Sequence, residues 1–155
     1  MKPNTGLTDA QRSGLVAILS HTLADLHVLY VQTRGFHWNV TGPHFNDLHK
    51  FFEAQYDELA GSIDEVAENI RYLGEKAPAS MAAFLSLARI QESAGAPSSR
   101  EMIQALLSNH ESVARSLRGD IEKAGGLGAA DVQDFLTGLL EQHDKMAWML
   151  RAMLE

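Results

Sequence analysis

Apolar residues recur at intervals of three and four along four long stretches of the chain, the spacing that lays one face of an α-helix against a core. The first stretch carries Leu15, Ile18, Leu19, Leu23, Leu26, Tyr30, Phe36 and Val40. Thr8 followed by Gln11 has the form of a capping box and opens this helix. Thr41-Gly42-Pro43 ends it, because Pro43 disfavours helix at the residue before it and Gly42 permits a turn. A second helix is expected from Phe45 to Leu73, with Phe45, Leu48, Phe52, Leu59, Ile63, Val66, Ile70 and Leu73 as its stripe and Gly74 as its stop. Ser98 and Glu101 form another capping box before Ile103, Leu106, Leu107, His110, Val113, Leu117 and Ile121, and Gly125-Gly126 ends that helix. Asp131 is placed to cap the last helix, which carries Val132, Phe135, Leu136, Leu139, Leu140, Met146, Met149 and Leu150.

No stretch alternates as a strand does, so the predicted class is all-α. Between the second and third long helices, residues 75–97 are bracketed by Pro78 and Pro97, with a short helix expected over Met81–Leu87. A helical hairpin needs only about 2–8 linking residues, so a connection of this length fits a crossover from one end of a bundle to the other. The expected architecture is a four-helix bundle of one domain over residues 1–155, with residues 1–7 as a short N-terminal tail.

Composition narrows the chemistry. A chain that is 45% hydrophobic and 21% charged matches a packed globular protein. No contiguous apolar run approaches the ~18 residues that a membrane span requires, and Met1 to Gly14 lack a signal-peptide core; a cytoplasmic location is expected. Cysteine is absent, which removes disulfides, thiolate catalysis and cysteine-ligated metals. His, Asp and Glu remain as donors, suited to iron, manganese or zinc. The net charge of −7 attracts cations and repels nucleic-acid phosphates.

Such donors are patterned on helix two. His49 and Glu53 are spaced i,i+4, as are Asp64 and Glu68. At about 100° per residue, the step from Glu53 to Asp64 returns to within about 20° of the same direction, so all four share one stripe beside the apolar seam. Along the axis, however, Glu53 and Asp64 stand ~16 Å apart and cannot serve one close metal pair from one helix. Two antiparallel copies of the helix, related by a two-fold axis, would bring the His49–Glu53 end of one to the Asp64–Glu68 end of the other. Ala60 and Gly61 fall near the midpoint, where small side chains permit close approach. His37 and His49 are each six residues from Pro43 on opposite arms of the hairpin, which places them at similar height. Two imidazoles and three carboxylates suit Fe(II) and leave positions for an oxidant. An intrachain di-iron bundle would instead carry Glu-x-x-His motifs, and the chain has none. The plainer alternative keeps each histidine structural, but five donors at these spacings outweigh it.

Phe36-His37-Trp38-Asn39-Val40, Gly42-Pro43-x-Phe45 and Leu48-His49 resemble the Dps family, the ferritin-like group named for DNA protection during starvation. The likeness continues through Phe52-Glu53, Tyr56, Ile63-Asp64-x-x-Ala67-Glu68, Leu73-Gly74 and Lys145-Met146-Ala147-Trp148-Met149-Leu150. It implies a ferritin-like four-helix bundle assembled as a hollow homo-dodecamer. It also implies a ferroxidase that oxidises Fe(II) with hydrogen peroxide or O2 and stores ferric mineral, protecting the cell from oxidative damage. By that resemblance the iron ligands are His37, His49 and Glu53 of one subunit with Asp64 and Glu68 of its partner. Glu53 stands where other members often have Asp, which lengthens the ligand arm, and Asn69 stands where an Arg is common. Family members admit iron through acidic three-fold pores near the start of the last helix, which points to Asp131 and Asp134; the alternative is that they only serve the helix end.

DNA binding does not come with the resemblance. Members that bind DNA commonly use Lys/Arg-rich tails, whereas here the first segment offers Lys2 and Arg12 and the last residue is Glu155. Direct DNA binding by a tail is therefore not expected. The alternative function is a nucleoid-binding or purely structural assembly in which the acidic stripe only organises an interface. Gly126-Leu127-Gly128 fails as a dinucleotide fingerprint, since Asp131 replaces the third glycine and no strand precedes it. Trp38 is expected to pack against the site, with radical scavenging as the alternative. His21, His27, His44, His110 and His143 are expected to be structural or surface groups, and Met146, Met149 and Met153 core filler.

Overall fold

The computed structural model describes residues 3–93 and 95–155. Its elements are α1 (Asp9–Asn39), α2 (Phe45–Tyr72), α3 (Met81–Leu87), α4 (Ser99–Gly126) and α5 (Ala130–Ala152), with no strand among the described residues. The expected four long helices and the short one in the crossover are all present. Both capping boxes form: Thr8 accepts from the Gln11 amide while Gln11 accepts from Thr8, and Ser98 and Glu101 do the same. Each satisfies amide donors that the first helical turn leaves open.

The start of α5 differs from expectation. Ala129 precedes the helix without a side-chain cap, and Asp131 sits exposed inside the first turn. Gly128, at φ +75°, turns the chain early, and the buried Ala129 carbonyl accepts from Gln133. Asp131 therefore acts on the helix dipole from within the turn rather than on a free amide. Gly74 is required twice over: its φ is +93°, and a Cβ there would lie 2.6 Å from Pro3.

α1 packs along α2 and α4 along α5, while α1 also carries α3 and α4. Leu15, Leu19, Leu26, Leu29, Phe52, Leu59, Leu106, Leu117 and Leu136 form the fully buried centre. Two expected core members are not buried in the subunit: Phe45 is 45% exposed and Met153 is 41% exposed. Among the described residues, α1 alone is long and apolar enough to cross a membrane by length and composition, which the search for contiguous apolar runs did not anticipate. Its leucines lie in the bundle core, and polar residues such as Asp25, Gln32 and Thr33 are buried with them.

The crossover is pinned by an ion cluster in which two buried carboxylates hold a partly exposed arginine. The Arg89 amide and Nε donate to the two oxygens of Asp25 on α1, and its Nη1 donates to Asp120 on α4 at 2.6 Å. Burial works against the Arg89 charge, but the hydrogen bond to Asp120 and the two carboxylate charges override it and raise its pKa. Removing the guanidinium would leave Asp25 buried without its cation and Asp120 with Lys123 alone, 3.6 Å away, a loss of about 3 kcal/mol. α3 is held from α1 as well: His21 Nδ1 lies 2.8 Å from the Leu87 carbonyl, and His27 stacks on Phe84 at 3.7 Å.

His110 of α4 and His143 of α5 meet in the core, Nδ1 to Nδ1 at 2.9 Å, and His110 Nε2 has no hydrogen-bond partner among the described residues. Burial, with the neighbouring imidazole adding to it, lowers the His110 pKa well below normal; burial lowers that of His143 to about 4. A histidine pKa depressed on folding stabilises the fold above the unfolded value of about 6.5 and loses that contribution as pH falls towards the folded value. Unfolding by denaturant at pH 7 and at pH 4.5 is expected to show a loss of a few kcal/mol, on the order of the His143 shift alone. Replacing both imidazoles with Leu is expected to flatten that part of the acid limb.

Candidate metal centre

The histidines sit where two helix ends meet. α1 ends at Asn39, so carbonyls of its last turn lack amide partners. His49, one turn into α2, fills one of these vacancies: its Nδ1 lies 2.9 Å from the His37 carbonyl. His37 Nδ1 in turn lies 2.8 Å from the His49 carbonyl. A carbonyl only accepts, so each Nδ1 carries a hydrogen, and Nε2 is the nitrogen at which a neutral ring can bind a cation. Main-chain acceptors of this kind fix both the tautomer and the ring orientation of a metal-binding imidazole.

Aromatic neighbours hold the two rings in place. The imidazoles stack at 3.8 Å with 20° between their planes. Phe45 also stacks on His49 at 5.1 Å, and Tyr56 meets His37 in a T-shaped contact at 5.2 Å. Phe45 was read from the sequence as core; it instead covers a ring of the site. Burial raises the Tyr56 pKa, helped by the charges of Glu53 and Asp57 and opposed by Arg34. The Arg34 guanidinium lies over the rings of Tyr30, Trp38 and Tyr56 at 5.4–5.7 Å. Trp38 itself is 65% exposed, so within one subunit it does not pack against the site.

Glu53, one turn beyond His49, is exposed on the same face. Asp64 and Glu68 are exposed farther along α2, beyond Ala60 and Gly61. A Cβ added at Gly61 would meet nothing within 4 Å, so this part of α2 is bare in the subunit. Tyr72 Oη donates to Glu68 Oε2 at 3.1 Å. This hydrogen bond and the Glu68 charge raise the Tyr72 pKa, with Asp64 and Glu65 adding to the effect. Sequence reasoning passed over Tyr72, although its i,i+4 spacing from Glu68 was the available signal. It also passed over Arg34 and the meeting of His110 with His143, which depends on helix-pair register.

The structure thus brings His37 and His49 together and leaves Glu53 beside them, with Asp64 and Glu68 at the other end of the stripe. Among the described residues, no three His, Asp or Glu side chains of one chain converge to hold a metal ion. Asp131 is exposed on the first turn of α5 and Asp134 is exposed just beyond it. Lys2, the basic residue expected of a DNA-binding tail, lies outside the described residues.

Residues 16–155 match the family model described as a ferritin-like domain. The chain is 43% identical over 154 residues to an uncharacterised low-temperature-induced protein of Nostoc, covering 98% of this chain and 86% of that protein. It is 36% identical over 140 residues to DNA protection during starvation protein 2 of Bacillus anthracis, covering 90% and 96% respectively. The Dps protein of Vibrio cholerae O1, described as a member of a broad superfamily of ferritin-like diiron-carboxylate proteins, superposes with a TM-score of 0.94 at 32% identity, covering 99% of this chain and 97% of that one. Dps of Thermosynechococcus elongatus superposes with a TM-score of 0.91 at 31% identity, covering 94% and 93%.

If the free Nε2 atoms bind cations, His49→Phe, which keeps a stacked ring but loses the nitrogen, is expected to weaken Zn(II) binding by at least roughly tenfold in equilibrium titration at pH 7. His21→Phe, remote on α1, is expected to leave it unchanged.

Proposed function

The chain belongs to the Dps family of ferritin-like proteins, and on that footing we propose that it oxidises Fe(II) at sites completed between two copies, each built from His37, His49 and Glu53 of one subunit with Asp64 and Glu68 of its neighbour. Ferroxidase activity and iron storage are the family's function and the function of this chain. The residue assignment rests on one observation above the others: two adjoining imidazoles locked by main-chain acceptors with both Nε2 atoms left open. The carboxylates sit exposed on a bare helix face, available to a neighbouring copy.

Iron is the substrate and the cargo. The imidazoles set the direction of binding, and the carboxylates compensate the cation charge. Two Fe(II) held together each give one electron to hydrogen peroxide; its O–O bond breaks, two protons are taken up, and two waters form. Supplying both electrons at one place limits the release of hydroxyl radical. With O2 as the oxidant the same residues bind the metal, and the ferric product passes into a mineral. We further place the protein in the cytoplasm as a hollow dodecamer, with iron admitted past Asp131 and Asp134.

Direct binding of DNA is not part of this proposal. The net charge is −7, Pro3 lies against Gly74, and the Arg12 guanidinium is engaged by the Pro3 and Leu7 carbonyls and by Asp9. The ferroxidase assignment is tested by stopped-flow oxidation of Fe(II) with peroxide. His37→Ala/His49→Ala is expected to slow the reaction by roughly 10–100-fold with its helical content kept; parent-like rates in that variant would refute the assignment of these residues.

A further inference from the structure

Tyr72 is 65% exposed in the subunit and adds nothing to the core, yet its phenol is committed: Oη donates to Glu68 Oε2 at 3.1 Å. Side chains on a helix lean towards its N-terminus, so a residue at i+4 lies over the one a turn earlier. Asp64, Glu68 and Tyr72 therefore form one ladder with the phenol at its end. A carboxylate oxygen that accepts a phenolic proton is a poorer donor to a cation than its free twin. We propose that Tyr72 is a positioning residue for iron oxidation, occupying Glu68 Oε2 so that Glu68 offers the metal Oε1 alone.

This rests on the assignment of Glu68 as a ligand and deepens it. A carboxylate restricted to one oxygen leaves a coordination position for the oxidant. It also binds the ferric product less tightly than a chelating carboxylate would, which favours its departure to the mineral. The hydrogen bond thus trades ground-state affinity for turnover, and its loss has an unusual sign. Without the phenol, Glu68 becomes a stronger and chelating ligand: binding tightens while turnover slows. Damage to the site by misplacement would instead weaken binding.

The test uses the assembled protein carrying Tyr72→Phe, with Glu68→Gln as reference. Fe(II) oxidation by peroxide is followed for kcat and KM, and Co(II) bound to the unmineralised protein is followed by its d–d absorption. Tyr72→Phe is expected to lower both kcat and KM, by roughly three- to tenfold for one solvent-exposed hydrogen bond. Co(II) absorption is expected to weaken as its coordination number rises. An unchanged spectrum, or a KM that rises, overturns the proposal. Glu68→Gln separates the two levels: if it leaves Co(II) absorption and turnover as in the parent, Glu68 is not a ligand and the premise fails. If it alters both while Tyr72→Phe alters neither, only the role of Tyr72 fails.

Discussion

Two hydrogen bonds exchanged between His37 and His49, each ring donating to the other's main-chain carbonyl, join the last turn of α1 to the first turns of α2. They do several things at once. The end of α1 receives an acceptor's partner it would otherwise lack, the hairpin angle is fixed, and both imidazoles are held as the tautomer that leaves Nε2 open. Stacking at 3.8 Å, with Phe45 against His49 and Tyr56 against His37, holds the two rings within 20° of parallel without using either nitrogen. The binding geometry is thus a property of the hairpin's backbone and is present before any cation arrives.

The remainder of the bundle keeps that hairpin in register. α1 is buried on several faces, against α2, α3 and α4. Because α1 takes contacts from three elements, its end cannot shift without disturbing the core. The Asp25–Arg89–Asp120 cluster ties the crossover to α1 and α4, so the long connection does not leave the two hairpins free of each other. Replacing a whole cluster of this kind by packed apolar groups often costs little, whereas removing one member costs much. By contrast Asp64 and Glu68 of α2 are exposed, and nothing among the described residues covers Gly61 beside them; this is where a second copy is proposed to bring its histidines.

Much of this was legible in the sequence. The helices, both capping boxes and the crossover with its short helix follow from apolar spacing, from Thr8 and Ser98 with their partners three residues on, and from Gly and Pro at the breaks. The meeting of His37 and His49 follows from their equal distance to Pro43. The start of α5 did not follow, because Gly128 and the buried Ala129 determine it through tertiary packing that no local signal reports. Nor did the contact of His110 with His143, since neither has a charged partner on its own helix. Phe45 was misjudged because apolar periodicity does not distinguish a side chain facing the core from one laid across an imidazole. The ligand set itself came from spacing and from the family resemblance.

The central claim is that neither copy holds a whole site, and subunit mixing tests it most directly. One variant carries His37→Ala/His49→Ala and the other Asp64→Ala/Glu68→Ala; each alone is expected to keep no more than about a tenth of the parent rate of Fe(II) oxidation. Dissociated together and reassembled at equal amounts, they should regain about one quarter of the parent rate, because half the pairs are mixed and each mixed pair rebuilds one of its two sites. A mixture as inactive as its components, with reassembly verified by size, would contradict the account.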